Sequence, residues 1–198
     1  MKIVKTTTTP QALPISLSAL KEHCRIEDSE TVYDADLVRL TRTATEWIED
    51  NCHIVLIDTD YSCYFDSFPD DGPIRLPVLP VSEITDIEYY DANGTVQVLA
   101  SFQADLFDIP VKVFPAIGQA FPSTQTDRIN ALEIRLVAGY GPSEASVPET
   151  VKQLICLLVY HWHLNRSAVV TGTISKEIEM AAEELTKMVR RNEFETFQ

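Results

Sequence analysis

Residues 147–169, VPETVKQLICLLVYHWHLNRSAV, read as one long and nearly all-apolar helix, and a helix of this kind constrains the fold because it needs partners on more than one side. Val151, Leu154, Ile155, Leu158, Val159 and Trp162 recur at the i, i+3, i+4, i+7 spacing, while Cys156, Leu157 and Tyr160 make the opposite side apolar as well. The uninterrupted apolar run, 154–160, is far shorter than the roughly 18 residues that suggest a membrane span. The segment is therefore expected to be buried in a core or shared between subunits. The turn Ala138-Gly139-Tyr140-Gly141-Pro142 leads into it. Ser146 and Glu149 have the spacing of a capping box, and Pro148 falls in the first turn, where its missing N–H costs little.

Two shorter helices are expected near the start of the chain. Ser16 is placed to cap one over residues 17–25, and an acidic connection over 26–31 follows it. Over 34–51, Leu37, Leu40, Ala44, Trp47 and Ile48 form an apolar stripe opposite Asp36, Arg39, Arg42, Glu46 and Asp50, and this stripe should pack on the long helix. Between residues 54 and 138 the texture changes to short β-branched and aromatic runs punctuated by Pro, Gly, Asn and Asp. Strands are expected over 60–65, 84–90, 95–99 and 132–137, with an Asn93-Gly94 hairpin turn, a turn cluster over 68–73 and an exposed loop over 114–126. After a break at Gly172, a last helix is expected over 176–191, with Glu177 and Glu179 at its start and Lys187, Arg190 and Arg191 at its end, as the helix dipole favours. Its apolar face is Ile178, Ala181, Ala182, Leu185, Met188 and Val189.

The expected architecture is thus α+β. About four helices, from 16–51 and 146–191, form a bundle, and a small antiparallel β-rich insertion over 54–138 separates the second helix from the third. Residues 13–191 make a single domain, 1–12 a flexible arm or an extended strand added to a neighbour, and 192–198 a tail. Within the bundle, Trp47, Leu154, Leu158, Trp162 and Arg166 are the expected core and subunit-interface residues.

Charge narrows the function. There are 30 acidic residues against 16 basic ones, a net charge of −14, which argues against a protein that grips nucleic acid by neutralising phosphates. No secretory signal opens the sequence and no membrane span follows, so synthesis in a cytoplasm is expected. Cys24, Cys52, Cys63 and Cys156 have neither metal-finger nor disulfide-framework spacing and read as reduced thiols.

No catalytic constellation emerges. His161 and His163 lie two positions apart on a helix, about 200° around it, and cannot share an ion. His23-Cys24 and Cys52-His53 supply ligand types at two helix ends without finger spacing. Asp58, Asp60, Asp66, Asp70 and Asp71 do not follow the calcium-loop pattern, and with only six glycines there is no phosphate-binding loop and no nucleophile elbow. No catalytic residue, metal or cofactor is expected. Arg166 is placed either to satisfy terminal carbonyls of its helix or to reach across a subunit boundary.

The order of these elements resembles a known family. The turn 138–142 followed by the long helix, the opening segment Pro14-Ile15-Ser16-Leu17-Ser18-Ala19-Leu20-Lys21-Glu22-His23-Cys24-Arg25-Ile26, the second helix ending near Trp47-Ile48-Glu49, and Ile74-Arg75-Leu76-Pro77 with 81–91 after it are similar to head-tail connector (adaptor) proteins of long-tailed bacteriophages, prophages and gene transfer agents. The resemblance spans about residues 13–170. It implies a structural virion protein at the head-tail interface, whose copies close a dodecameric ring beneath the portal protein and let DNA pass without specific binding. It also implies that the last helix docks on the portal, through Ile178, Ala182, Leu185, Met188 and Val189 with Lys187, Arg190 and Arg191. A neck stopper or tail-completion protein of the same assembly is the alternative. A small metal-dependent hydrolase built on Asp58 and Asp60 is the rival from another class.

Overall fold

The computed structural model describes residues 2–6, 12–164, 183–184 and 186–187. The chain divides into two compact units, one holding the N-terminal strand and Asp58–Gly139, the other the described parts of Gln11–Ile57 and Tyr140–Asn192.

The second unit is helical. Helix α1, Leu17–Cys24, is capped by Ser16, whose hydroxyl accepts the Ala19 N–H at 3.3 Å, and it ends where Arg25 takes a left-handed conformation. Helix α2, Asp34–Cys52, carries Asp34 and Asp36 in its first turn and also ends in a left-handed residue, His53. The buried stretch after it, residues 54–57, is held back by Glu49, whose carboxylate accepts the Leu56 N–H at 2.8 Å. A single 3-10 turn, Glu144–Ser146, then precedes helix α3, Glu149–Leu164. The Pro148 carbonyl accepts the Lys152 N–H, so α3 opens on the proline, and Glu149, expected to reach back to Ser146, pairs instead with Lys152 at 2.7 Å. Leu20, Leu37, Ala44, Ile48, Leu154, Ile155, Leu158 and Val159 form the centre of one core shared by the three helices. The apolar stripe of α2 and both faces of α3 are thereby largely satisfied inside one subunit.

The first unit is two antiparallel sheets. Strands β1 (Lys2–Lys5), β2 (Thr59–Phe65), β4 (Val81–Tyr90), β5 (Val96–Val98) and β8 (Leu132–Ala138) make a five-stranded sheet in the order β1-β2-β8-β4-β5. Strands β3 (Ile74–Leu76), β6 (Phe102–Asp105) and β7 (Val111–Pro115) make a three-stranded sheet in the order β3-β7-β6. Strand β8 is central to the larger sheet and alternates strictly between buried and half-buried, with Leu132, Ile134, Leu136 and Ala138 inward. Strand β4 carries two register irregularities against β8, so its longer chain still keeps Ile87 on the buried side. The Asn93-Gly94 turn closes β4 onto β5: Gly94 has φ 80°, and the Asp91 carboxylate accepts the N–H groups of Asn93 and Thr95 at 2.9 and 3.0 Å.

This corrects the expected architecture. A mainly helical bundle of about four helices with a small β-rich insertion is not what forms: among the described residues three α-helices stand beside eight strands in two sheets, and the strands hold as much of the chain as these helices. The β segment has its own buried residues, among them Cys63, Ile74, Leu76, Ile87, Val111, Val113, Leu132 and Ile134, and is a body in its own right. A strand as short as β3 leaves little alternation to read, and β6 and β7 fall where Pro and Asp break the pattern. Of the helix expected over 176–191, all but residues 183, 184, 186 and 187 lies outside the described residues.

Candidate interaction surfaces

The densest polar arrangement lies on the face of the five-stranded sheet opposite its buried side. Register places Asp86 opposite Arg135, Glu88 opposite Glu133, and both β8 residues opposite Ser62 and Tyr64 of β2, so all six share one face. The Arg135 guanidinium donates to Glu88 at 2.9 and 3.0 Å, to Asp86 at 3.3 Å and to Glu133 at 3.2 Å, one cation held among three carboxylates. Ser62 and Tyr64 donate to Glu133 at 2.8 and 3.1 Å. Burial pushes the Glu133 carboxyl up, but the hydrogen bonds from Arg135, Ser62 and Tyr64 outweigh it and hold its pKa below the usual value. Glu133 in turn is the first cause that raises the Arg135 guanidinium, against the opposing effect of burial. The cluster sets three carboxyl groups against one guanidinium and is tied across three strands by hydrogen bonds, which suits a fixed surface rather than a proton-transfer site. Sequence reading passed over it, although Asp86-x-Glu88 and Glu133-x-Arg135 carry the signal: an i, i+2 spacing on strands puts both members on one face.

Beside this face, a cleft of about 320 Å³ is lined by Tyr64, Glu88, Tyr90, Val96, Arg128 and Ile129 among others, with the Arg128 guanidinium 3.4 Å above the Tyr90 ring. A second cleft, of about 500 Å³, lies between residues 67–72 and 119–124, where Phe68 stacks on Phe121 at 4.8 Å. At the β6–β7 tip, Asp105 accepts the N–H groups of Phe107 and Asp108, Lys112 pairs with Asp108, and Phe107 is left 99% exposed.

In the helical unit, Lys21 is buried to 3% exposure, lies 2.7 Å from the Asp34 carboxylate and donates to the Asp28 carbonyl at 3.0 Å, tying α1 to the start of α2. His161 is buried, whereas His163 approaches Asp36 at 3.7 Å and meets the Tyr33 ring edge-on, so the two imidazoles diverge. His23 meets the Tyr160 ring edge-on, and Cys24 influences the thiol of Cys156, while Cys52 is buried in the core. Burial is the main cause that pushes the Cys156 thiol up to about 11 and the Cys63 thiol up to about 12. Among the described residues no group of three or more His, Cys, Asp or Glu side chains is arranged to hold a metal, and no helix is long and apolar enough to cross a membrane.

The sequence-expected residues are placed as follows. Leu154 and Leu158 are buried in the helical core, and Trp47 and Trp162 lie half-buried against it. Asp58 packs against Gly139, Asp60 is exposed on β2, and Asp66 accepts the Asn130 N–H at 2.9 Å, while Asp70 and Asp71 line the larger cleft. Arg166, Ile178, Ala182, Leu185, Met188, Val189, Arg190 and Arg191 lie outside the described residues, and Lys187 is seen paired with Glu184 at 2.7 Å.

No protein-family model matches the chain, and no curated protein matches it. Solved structures do. One is a chain in the neck of an empty GTA particle computed with C6 symmetry, 24% identical, with a TM-score of 0.75 over 96% of this chain and 95% of that one. Another is in the virion of a native gene transfer agent (GTA) particle, 23% identical, with a TM-score of 0.75 and the same coverage, 96% and 95%. A third, in the neck of a native GTA particle computed with C12 symmetry, is 23% identical with a TM-score of 0.73, again over 96% and 95%. The likeness establishes a shared fold along nearly the whole of both chains.

Proposed function

We propose that this chain is a structural protein of the neck of a phage-like particle: an adaptor whose copies close a ring between the portal and the neck or tail, leaving a passage for DNA. The observation that carries the proposal is the fold shared, end to end, with chains of gene transfer agent particles whose necks were computed with C6 and C12 symmetry. A dodecamer fits both symmetries, since a twelve-fold ring contains the six-fold one. The adaptor resemblance in the sequence points the same way, and location in the virion follows from it. A net charge of −14 suits a passage in which DNA slides, because strong cation-phosphate contacts would retard it. A closed ring needs heterologous contacts, one surface of each subunit against a different surface of the next.

Partners follow from the position: portal protein on one side, and a stopper or tail-completion protein on the other. The C-terminal segment is the portal-docking element in this reading, through Ile178, Ala182, Leu185, Met188 and Val189 and the basic Lys187, Arg190 and Arg191. Trp47, Leu154, Leu158, Trp162 and Arg166 serve the core and the subunit boundary. Negative-stain imaging of the protein mixed with portal protein tests the reading. Ring density stacked on the portal is expected. Binding to tail-tube protein instead would transfer the chain to the stopper or tail-completion role, and binding to neither would overturn the proposal. Deleting residues 175–198 tests the docking element separately: a subunit with unchanged circular dichroism and melting should no longer bind portal, and a truncation that fails to fold would place the segment in the core.

A further inference from the structure

Among the described residues the five-stranded sheet ends in two edges that no further strand covers, β1 on one side and β5 on the other. On β1 the Thr6 N–H bonds the Asp60 carbonyl, and with the antiparallel register this turns the main-chain groups of Lys2 and Val4 toward β2 and those of Ile3 and Lys5 outward. On β5 the bonds from Asp91 to Thr95 and from Leu99 to Ile87 turn Gln97 toward β4 and leave the N–H and C=O of Val96 and Val98 facing outward. Both edges expose β-branched side chains, Ile3 at 41%, Val4 at 36%, Val96 at 49% and Val98 at 59%. Sheet edges are normally blunted by charge, proline or a bulge, and β5, Val-Gln-Val, has none of these.

We infer that the β5 edge receives β1 of the next copy of this chain, so that the sheet runs on from subunit to subunit around the ring. The inference rests on the ring reading given above and adds to it the surface that joins the copies. Three features of the sheet select this occupant. The first is direction: β1 and β5 point the same way, because four antiparallel steps separate them in the strand order. A cyclic operator whose axis runs along the strands keeps that direction and keeps the same face outward, so β5 would meet the next β1 in parallel. Reversing the strand at each step would reverse the face too, and would give an open fibre rather than a ring.

The second feature is that the outward groups match. In a parallel ladder a residue bonds the neighbours, one before and one after, of the residue it faces. With Val98 facing Val4 of the next copy, the Val98 N–H reaches the Ile3 carbonyl, the Lys5 N–H reaches the Val98 carbonyl, and the Ile3 N–H reaches the Val96 carbonyl. Val98 and Val4 also share a face, since Val98 lies opposite Glu88 and Val4 opposite Ser62 on the side that carries Arg135. The third feature is charge. Lys2 stands on that same face of β1, and beside β5 the cations Arg135 and Arg128 are outnumbered by Asp86, Glu88 and Glu133. A strand bearing its own lysine thus meets a face on which acids exceed bases, with Glu88 directly beside Val98. Pairing strands this short fixes orientation and register, and the remainder of a specific interface, above about 1,000 Å² in total, comes from the surfaces that this pairing brings together.

Cysteine cross-linking in portal-bound particles tests the inference. The two edges of one subunit lie four strand spacings apart, about 19 Å, too far for a disulfide within the chain. A Val4→Cys/Val98→Cys variant should therefore give, on oxidation, a ladder of linked multimers in non-reducing gels that ends at the ring size, while an equal mixture of the two single variants should give linked dimers only. Rings seen by negative stain whose subunits stay unlinked would overturn the edge pairing and leave the ring reading standing. Linking of Val98→Cys with itself would also overturn it, since like edges would then meet. Absence of rings on the portal in the unmodified protein would remove both readings. Val98→Pro supplies a second readout, because it removes an N–H that the subunit's own ladder does not use: melting should be unchanged and ring formation lost, and rings that persist with this variant would count against the pairing.

Discussion

Among single residues, Arg135 decides the most, because three carboxylates converge on it and hydrogen bonds from Ser62 and Tyr64 fix one of them in place. Its partial exposure keeps the stabilisation modest through solvent screening, so the informative measurement is the pH dependence rather than the size of the effect. Glu133 has a depressed folded-state pKa, so its contribution is present above the unfolded value and is lost as pH falls through the folded value. In Arg135→Met the cation is gone and Asp86, Glu88 and Glu133 repel one another. The variant should melt below the parent at pH 7, and the gap should narrow on acidification as pH falls through the depressed folded value of Glu133 and its contribution to the parent is lost. A gap independent of pH would show that packing of the arginine stem, not its charge, is what was lost. Gly139 is the other decisive position. It sits at φ 149°, and an added Cβ would fall 2.4 Å from the Asp58 amide nitrogen, a backbone atom with no rotamer to yield. Gly139→Ala is expected to destabilise by on the order of 1–3 kcal/mol, measured by urea unfolding. The glycine was visible in the sequence as part of the 138–142 turn. Its reason was not, because Asp58 is remote along the chain.

At the scale of elements, helix α3 shows how far periodicity reaches. Its apolar run announced burial on both faces, and the structure buries Val151, Leu154, Ile155, Cys156, Leu158 and Val159 against α1 and α2. Leu158→Ala should therefore cost about 2–5 kcal/mol, and Trp162→Ala, at a half-buried position on the rim, less than Leu158→Ala. Denaturation midpoints of the two variants check the ranking, and a larger loss at Trp162 would move the centre of the core toward the end of the helix. The same pattern reading found Ser16 as a cap, the α2 stripe, the strand alternation at 132–137 and the Asn93-Gly94 turn, each a local signal carried by a few adjacent residues. It went wrong where local signal is thin. Strand β3 is three residues long, β7 ends in Pro115, and β6 owes its place to pairing with β7 rather than to any alternation of its own, since most of it is exposed. A segment that looked like an insertion into a bundle is therefore a two-sheet unit, because ladder hydrogen bonds between distant strands leave no trace in the spacing of either strand. The Arg135 cluster was missed for the same reason: its members come from β2, β4 and β8.

For the whole molecule the governing quantity is charge. Thirty acidic residues against 16 basic ones set an average field that repels phosphate, and among the described residues several of the cations are already paired: Lys21 with Asp34, Arg39 with Asp36, Lys112 with Asp108, Lys152 with Glu149, and Arg135 with three acids. A paired lysine or arginine has less to offer a phosphate, since binding DNA would mean exchanging one anion for another. Specific affinity would require a basic stripe with unneutralised charge, which an acidic excess of this size opposes. Duplex DNA should therefore bind weakly even at low salt, where any phosphate contact is exaggerated, and fluorescence anisotropy in low-salt buffer is the sensitive measurement. A dissociation constant weaker than about 1 μM under those conditions is the expected result, against the micromolar or tighter values reached by proteins that neutralise several phosphates. Submicromolar binding that weakens steeply with added salt would mean that cations of the chain converge on a DNA-facing surface, and the passage would then hold DNA instead of letting it slide.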